Sequence, residues 1–530
     1  MKKTVLLFVL CFLFSCEKWN LDETSDVGLC DAINCGQHGT CDINTGLCVC
    51  DAGWMGQDCS VENPNDPCLS VDCGEHGTCN SATGLCTCDE GWTGENCTIE
   101  IVVGPCENVD CGLHGTCNSD TGICDCDTGW AGANCDSVST FFLVLGSAQL
   151  DEMGYGITAT SNNEFAIIGE KEGTGGFFLK IDADGNVLTT LDIPELNSID
   201  RNYGNGPGTI SPFGFIKIIT LVDGRFAALG YTESGIEENI SLVFIEPDGT
   251  TKTSFTYDIG EQERSNDLIQ TNNGNLVITG SHRPIDVSIN YEHGLFFTEI
   301  SASGDLIESV FYPSIDEAIP AVGWAIRQKD NGIYVIGGSN NLNENGSFAA
   351  YIVNTNAEPS TMTEFLIGGE GYSNAFSMDK TSSGDFVSFG YELQNDDLDF
   401  RTVQFSVSSN NNAIAVSDEH TYGENNIDNV GNSVLVDQED NIVFTGFNKE
   451  SNIKRYVTFR KIIGSSIIQE NYGNLDDVII DRGWQIIESP DGGYVIVGMT
   501  ETYSPNGSSD ILVIKTDKNG KVYGPTMTPY

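Results

Sequence analysis

Eighteen of the 20 cysteines fall into three groups of six, and each group keeps the spacing C-x4-C-x5-C-x6-C-x-C-x8-C. The groups begin at Cys30, Cys68 and Cys106, each offset from the last by 38 residues. Thiols at this density can do one of two things: oxidise in pairs, or hold a soft metal as thiolates. A unit of about 30 residues cannot bury enough apolar surface to hold itself together. Disulfides would stand in for the missing core, at about 2–4 kcal/mol each. Spacing alone leaves 15 pairings open for six cysteines.

The segments "CVCDAGWMGQDC", "CTCDEGWTGENC" and "CDCDTGWAGANC" resemble the EGF-like signature C-x-C-x2-G-W-x4-C. The resemblance implies three modules, at residues 30–59, 68–97 and 106–135, with the first cysteine paired to the third, the second to the fourth and the fifth to the sixth. The pairs are then Cys30–Cys41, Cys35–Cys48, Cys50–Cys59, Cys68–Cys79, Cys73–Cys86, Cys88–Cys97, Cys106–Cys117, Cys111–Cys124 and Cys126–Cys135. His38, His76 and His114, in the repeated "HGTC", read as turn residues rather than ligands. Calcium-binding modules of this family carry an acidic run before the first cysteine and Asp or Asn second after the third. "DVGLC", "PNDPC" and "VGPC" do not match, and Ile43, Ser81 and Ser119 stand at the second position, so no metal is expected.

Past residue 139 the cysteines stop and a second repeat begins. Short apolar runs ("EFAIIG", "RFAALG", "NLVITG", "IYVIGG", "DFVSFG", "NIVFTG", "YVIVG") close on Gly169, Gly230, Gly280, Gly337, Gly390, Gly446 and Gly498, about 55 residues apart. Asn-Gly and Asp-Gly turns between such runs signal antiparallel hairpins. Seven four-stranded units predict an all-β, seven-bladed β-propeller over residues 140–530, with an open β-solenoid as the rival architecture. "FFLVLG" from Phe141 precedes a first blade that does not need it, so it is expected to complete the seventh. The texture "DGGYVIVG…DILVIKTDKNG" resembles repeat propellers of secreted Bacteroidetes proteins.

Aligning the copies exposes one column at the start of each innermost strand: Tyr155, Phe215, Asn266, Trp324, Asn374, Asn432 and Trp484, each after Gly or Ser. Facing a central channel, the aromatics Tyr155, Phe215, Trp324 and Trp484 could stack on sugar rings, while amides and the nearby Asp151, Asp316, Glu317, Glu370, Asp428 and Asp481 bind hydroxyls. The competing expectation is that the column packs blade against blade. No catalytic residue is singled out: carboxylates are too many to be specific, and His282, His293 and His420 show no metal spacing. No cofactor is expected. "DADG" from Asp182 reads as a hairpin turn.

The amino end, "MKKTVLLFVLCFLFSC", carries two lysines and an apolar run too short to span a bilayer, which needs about 20 residues. Residues 1–15 read as a signal peptide. "LFSC" resembles the bacterial lipobox, which implies that Cys16 carries the lipid and anchors the chain to the outer membrane at the cell surface, secretion being the alternative. The tether at residues 16–29 resembles acidic surface-export signals of Bacteroidetes lipoproteins.

The chain holds 77 acidic and 24 basic residues, a net charge of −53, and from Cys16 to Ser139 the count is 22 acidic against the single Lys18. Nucleic acid is excluded as an electrostatic partner, and the membrane is reached through the lipid alone. The functional expectation is a surface-anchored binding or adhesion protein whose propeller takes a glycan or protein ligand. A polysaccharide-acting enzyme and a surface protein without a specific ligand are the alternatives.

Overall fold

The computed structural model describes residues 29–527, apart from residues 52, 101–104, 114, 127–129, 132–133, 136, 139, 148–149, 197–216, 235–236, 261, 284–293, 313–320, 341–346, 368–372, 395–396, 425, 452–453, 474–478, 491, 505–507 and 524–525. Every helix or strand among the described residues is a strand. The chain divides into two compact units, Met1–Asn108 with Ser119–Gly122, and Val109–Asn118 with Ile123–Tyr530. The signal peptide, Cys16 and the tether up to residue 28 lie outside the described residues.

Each module is two small antiparallel hairpins. In the first, Gly39–Cys41 pairs with Cys48–Cys50, and Trp54–Met55 with Val61–Glu62; the other two repeat the pattern. Disulfides join Cys30 to Cys41, Cys35 to Cys48, Cys50 to Cys59, Cys68 to Cys79, Cys73 to Cys86, Cys88 to Cys97, and Cys111 to Cys124. Cys106, Cys117 and Cys135 are also disulfide-bonded; the Cys126 side chain is outside the described set. All buried apolar side chains described before Phe141 are cysteines, so the bonds themselves are the core.

The repeated "HGTC" has a physical cause that its reading as a turn does not capture. The His38 ring lies flat on Trp54 at 3.6 Å and 3°, and His76 lies on Trp92 at 3.6 Å and 10°. The glycine admits the sixth cysteine: a Cβ on Gly39 would sit 2.4 Å from Cys59 Sγ, on Gly77 2.5 Å from Cys97 Sγ, and on Gly115 2.4 Å from Cys135 Sγ. Histidine and glycine together seat one hairpin on the other.

The large unit holds seven blades of four antiparallel strands, with blades 6 and 7 joined by a short parallel pairing of Lys454 and Arg455 with Ile479 and Ile480, and Thr526–Met527 added parallel to Phe142 and Leu143. Six use consecutive strands, with inner strands Glu152–Ala159, Lys217–Thr220, Gln262–Gln270, Ala321–Asp330, Ser373–Lys380 and Asp428–Val436. The seventh begins at Ile479–Glu488 and is completed by Phe141–Leu145, antiparallel to Asp510–Thr516, with Leu143 opposite Val513. Each inner strand touches the next, and the seventh touches the first, which closes the ring. Seven apolar clusters fill the seven blade interfaces, such as Ile157, Phe165, Val495 and Val513 between blades 7 and 1. Closure leaves no free inner edge, and the apolar residues of the inner strands are mostly buried between sheets, while outer strands such as Ile414–Tyr422 are largely exposed.

Candidate functional site

In six blades the inner strand carries a β-bulge near its start, and the extra residue is Tyr155, Asn266, Trp324, Phe376, Asn432 or Trp484. A bulge leaves one residue out of the ladder and re-aims its side chain. Two residues before it, a backbone carbonyl crowds the neighbouring strand. A Cβ on the facing glycine would lie 2.1 Å from Met153 O (Gly169), 1.9 Å from Arg264 O (Gly280), 2.2 Å from Val322 O (Gly338), 1.8 Å from Asn374 O (Gly390), 2.0 Å from Val430 O (Gly446) and 1.9 Å from Arg482 O (Gly498). That contact is why a glycine stands at this position in these six blades.

The structure departs from the sequence alignment in two places, one in the column and one among the closing glycines. In blade 5 the bulged residue is Phe376, after Ala375, and Asn374 instead donates to Tyr391 Oη at 2.8 Å. In blade 4 the facing glycine is Gly338, opposite Gly323, and Gly337 pairs with Ala325. A serine before an asparagine at 373–374 imitated the small residue that the bulge needs, a role Ala375 fills. Phe215, Asp316, Glu317 and Glu370 lie outside the described residues.

The bulged residues line a central cavity with Lys217, Asp267, Arg327, Ser377, Ser433 and Gln485. Its interior space is about 40 Å³, room for about three waters at about 10–15 Å³ each. Trp324 and Trp484 are each only 4% exposed. Trp324 stands edge-on to Phe376 at 5.1 Å and donates through Nε1 to Ser339 Oγ at 3.2 Å. Trp484 meets Tyr155 at 6.0 Å across the seam between blades 7 and 1. Asn266 and Asn432 donate to Gly323 O (2.8 Å) and Gly483 O (2.7 Å), each bracing the glycine before the next blade's tryptophan.

In four of the six blades the residue after the bulge ties its blade to the next. The backbone N–H groups of Ile157, Ile326, Val434 and Ile486 donate to Gln485 Oε1 (3.0 Å), Asp267 Oδ2 (2.9 Å), Ser377 Oγ (3.1 Å) and Ser433 Oγ (3.3 Å) of the preceding blade. Asp267 also meets Lys217 at 3.4 Å and Arg327 at 2.9 Å, and Arg327 reaches Asp379 at 3.1 Å. Burial pushes the Asp267 carboxyl up, but the Lys217 ammonium and Arg327 guanidinium outweigh it and hold it below the ordinary carboxylate range. Lys217, Asp267, Arg327 and Phe376 escaped sequence reasoning. A signal existed for Asp267 alone, a carboxylate directly after a column residue in a strand otherwise buried.

The remaining acids are anchored locally. Asp151 accepts from Ser509 N at 2.8 Å, and Asp428 meets Lys449 at 3.2 Å. Asp481 is fully buried and accepts from Thr500 (2.6 Å) and Thr502 (2.8 Å). Burial pushes the Asp481 carboxyl above its ordinary range against those hydroxyls. The folded chain therefore holds this proton more tightly than the unfolded one, and stability falls as pH rises past the ordinary Asp value of about 3.9. Asp481→Asn is expected to raise the melting temperature at pH 7 and leave it unchanged at pH 3; a lower melting temperature at pH 7 would contradict this.

Family models match the modules by sequence: a Teneurin-like EGF domain at residues 69–100 and an EGF-like domain at residues 30–59 and 106–135. No curated protein matches the chain. Among solved structures, a protein of unknown function from Dyadobacter fermentans is 12% identical with TM-score 0.42, over 72% of this chain and 98% of that one. A family PL25 ulvan lyase bound to its oligosaccharide is 10% identical with TM-score 0.44, over 74% and 95%. The β-propeller domain of the trilobed protease from Pyrococcus furiosus is 10% identical with TM-score 0.40, over 73% and 100%. The cysteine framework, the family models and the closed ring of sheets agree: this chain carries three tandem EGF-like modules followed by a seven-bladed β-propeller.

Proposed function

We propose that this chain is a binding protein displayed at a bacterial cell surface, lipid-anchored to the outer membrane through Cys16, with EGF-like modules preceding a propeller whose one face takes a glycan or protein ligand. One observation carries the reading: the blade connections are unequal on the two faces. Hairpins joining the first to the second strand and the third to the fourth keep to between two and six residues. On the opposite face the length of chain between described strand ends varies more, with three residues between Lys171 and Gly175 and ten between Arg283 and Gly294. A repeat that tolerates insertions on one face only is free to vary there because packing is not at stake, and binding surfaces are built on such faces. The central cavity, sized for water, is left to packing.

A second reading, a polysaccharide-acting enzyme, draws on two carboxyls of that face whose burial raises them, Asp481 and Glu501. The same experiment separates the two. The purified ectodomain is applied to glycan and surface-protein arrays beside a variant in which residues 284–293 are replaced by a two-residue turn. Retention by the parent, reduced at least tenfold in the variant with melting temperature unchanged, supports ligand binding on this face. New reducing ends in the glycan wells favour the enzyme, and absence of retention on both arrays overturns the binding reading. An acylated Cys16 in the first mature peptide tests the anchor.

A further inference from the structure

The segment between Cys59 and Cys68 is tied along its length. Val61–Glu62 extends the second hairpin of module 1, Asn63 N–H donates to Gly53 O at 2.8 Å, and Asp66 N–H donates to Asn63 O at 3.1 Å. The Asp66 carboxylate then bridges the two modules. Oδ2 accepts from Gly53 N in module 1 at 2.7 Å, and Oδ1 accepts from Cys68 N, the first residue of module 2, at 2.9 Å. Leu69 closes the same contact, its Cδ1 lying 2.6 Å from where a Cβ on Gly53 would be. Gly53 has φ of 87°, so its N–H can face the linker at a position where a side chain would be strained and would meet Leu69.

The second copy provides the contrast. Thirty-eight residues on, Gly104 and Glu107 stand where Asp66 and Leu69 stand. Gly91, the counterpart of Gly53, has φ of 89°, and a Cβ there would meet nothing within 4 Å. The aspartate and leucine of the first joint are therefore not a fixed part of the repeat.

We infer that Asp66 and Leu69 form a clasp that fixes modules 1 and 2 into one rigid arm without a metal ion. A carboxylate that accepts two backbone N–H bonds, one from each module, resists rotation about the linker in two directions, and charge-assisted bonds of this kind are stronger than neutral ones. The Cys68 and Gly53 amides hold the Asp66 carboxyl below its ordinary range. The clasp is thus intact at neutral and mildly acid pH and opens only as pH falls through that lowered value.

The test uses the full disulfide-bonded ectodomain and reads amide exchange at Gly53 together with proteolysis within residues 60–67, each with calcium and with chelator. The parent is expected to give the same slow exchange and the same resistance in both conditions. Asp66→Ala should speed exchange at Gly53 at least tenfold and open the linker to cleavage, with all disulfides retained in the non-reduced digest. Leu69→Ala, which touches no hydrogen bond, should open the linker to a lesser degree and serves as the second variant where Asp66→Ala disturbs disulfide formation. Exchange at Gly53 that calcium slows would make the joint metal-fixed, and a parent-like Leu69→Ala beside a parent-like Asp66→Ala would remove the clasp; either overturns the inference.

Discussion

Replacing Trp324 or Trp484 with alanine is expected to lower the unfolding free energy by about 3–5 kcal/mol, the usual range for deleting a large buried aromatic. Both indoles line the central cavity yet are 4% exposed, because bulged neighbours and the next blade cover them. Loss of Trp324 removes its edge contact with Phe376 and its bond to Ser339, and joins its volume to the central space of about 40 Å³. Loss of Trp484 opens the seam between blades 7 and 1, beside Tyr155. Urea unfolding should show a lower midpoint at unchanged slope. Leu306→Ala, at a site 47% exposed, is the surface control and should stay within about 0.5 kcal/mol. A cost of about 1 kcal/mol or less for both tryptophans, with ligand retention abolished, would return the column to ligand binding.

Reduction is expected to unfold the modules and spare the propeller. The described residues of 30–100 have no buried apolar side chain other than cysteine, so among them six bonds are the only core of the two modules. At about 2–4 kcal/mol per bond, breaking three in one module removes more than a domain of that size retains. Its His–Trp stacks should break with it, and Trp54 and Trp92 emission should shift to the red. The propeller has no cysteine after Cys135 and draws its stability from seven apolar interfaces between sheets, which a reductant does not touch. Its melting transition should therefore coincide in the oxidised and reduced protein. A propeller transition that falls in step with thiol exposure would contradict two independently stabilised parts.

Local chemistry made much of the architecture readable in advance. Cysteine spacing is set within 30 residues of chain, so module count and boundaries follow from it once the family signature is met. The closing glycines are legible for a comparable reason: Gly169, Gly280, Gly390, Gly446 and Gly498 each answer a backbone carbonyl on the adjacent strand of their own hairpin, and a collision at about 2 Å admits no other residue, so the glycine period follows the blades. The strand Phe141–Leu145 could be assigned to blade 7 because a strand left over at one end of a closed ring has one vacancy to fill.

Tertiary structure alone decided what depends on contacts between blades. The bulge phase in blade 5 turned on which small residue, Ser373 or Ala375, lay opposite Gly390, and the sequence offers both. Burial of Trp324 and Trp484 depends on the width of the cavity, which the closure of seven blades sets and no single repeat encodes. Asp267 lies 50 residues from Lys217 and 60 from Arg327, so their pairing exists only once blades 2, 3 and 4 stand side by side. The stack of His38 on Trp54 joins side chains from two hairpins, so "HGTC" by itself shows only the turn and not the ring that covers it.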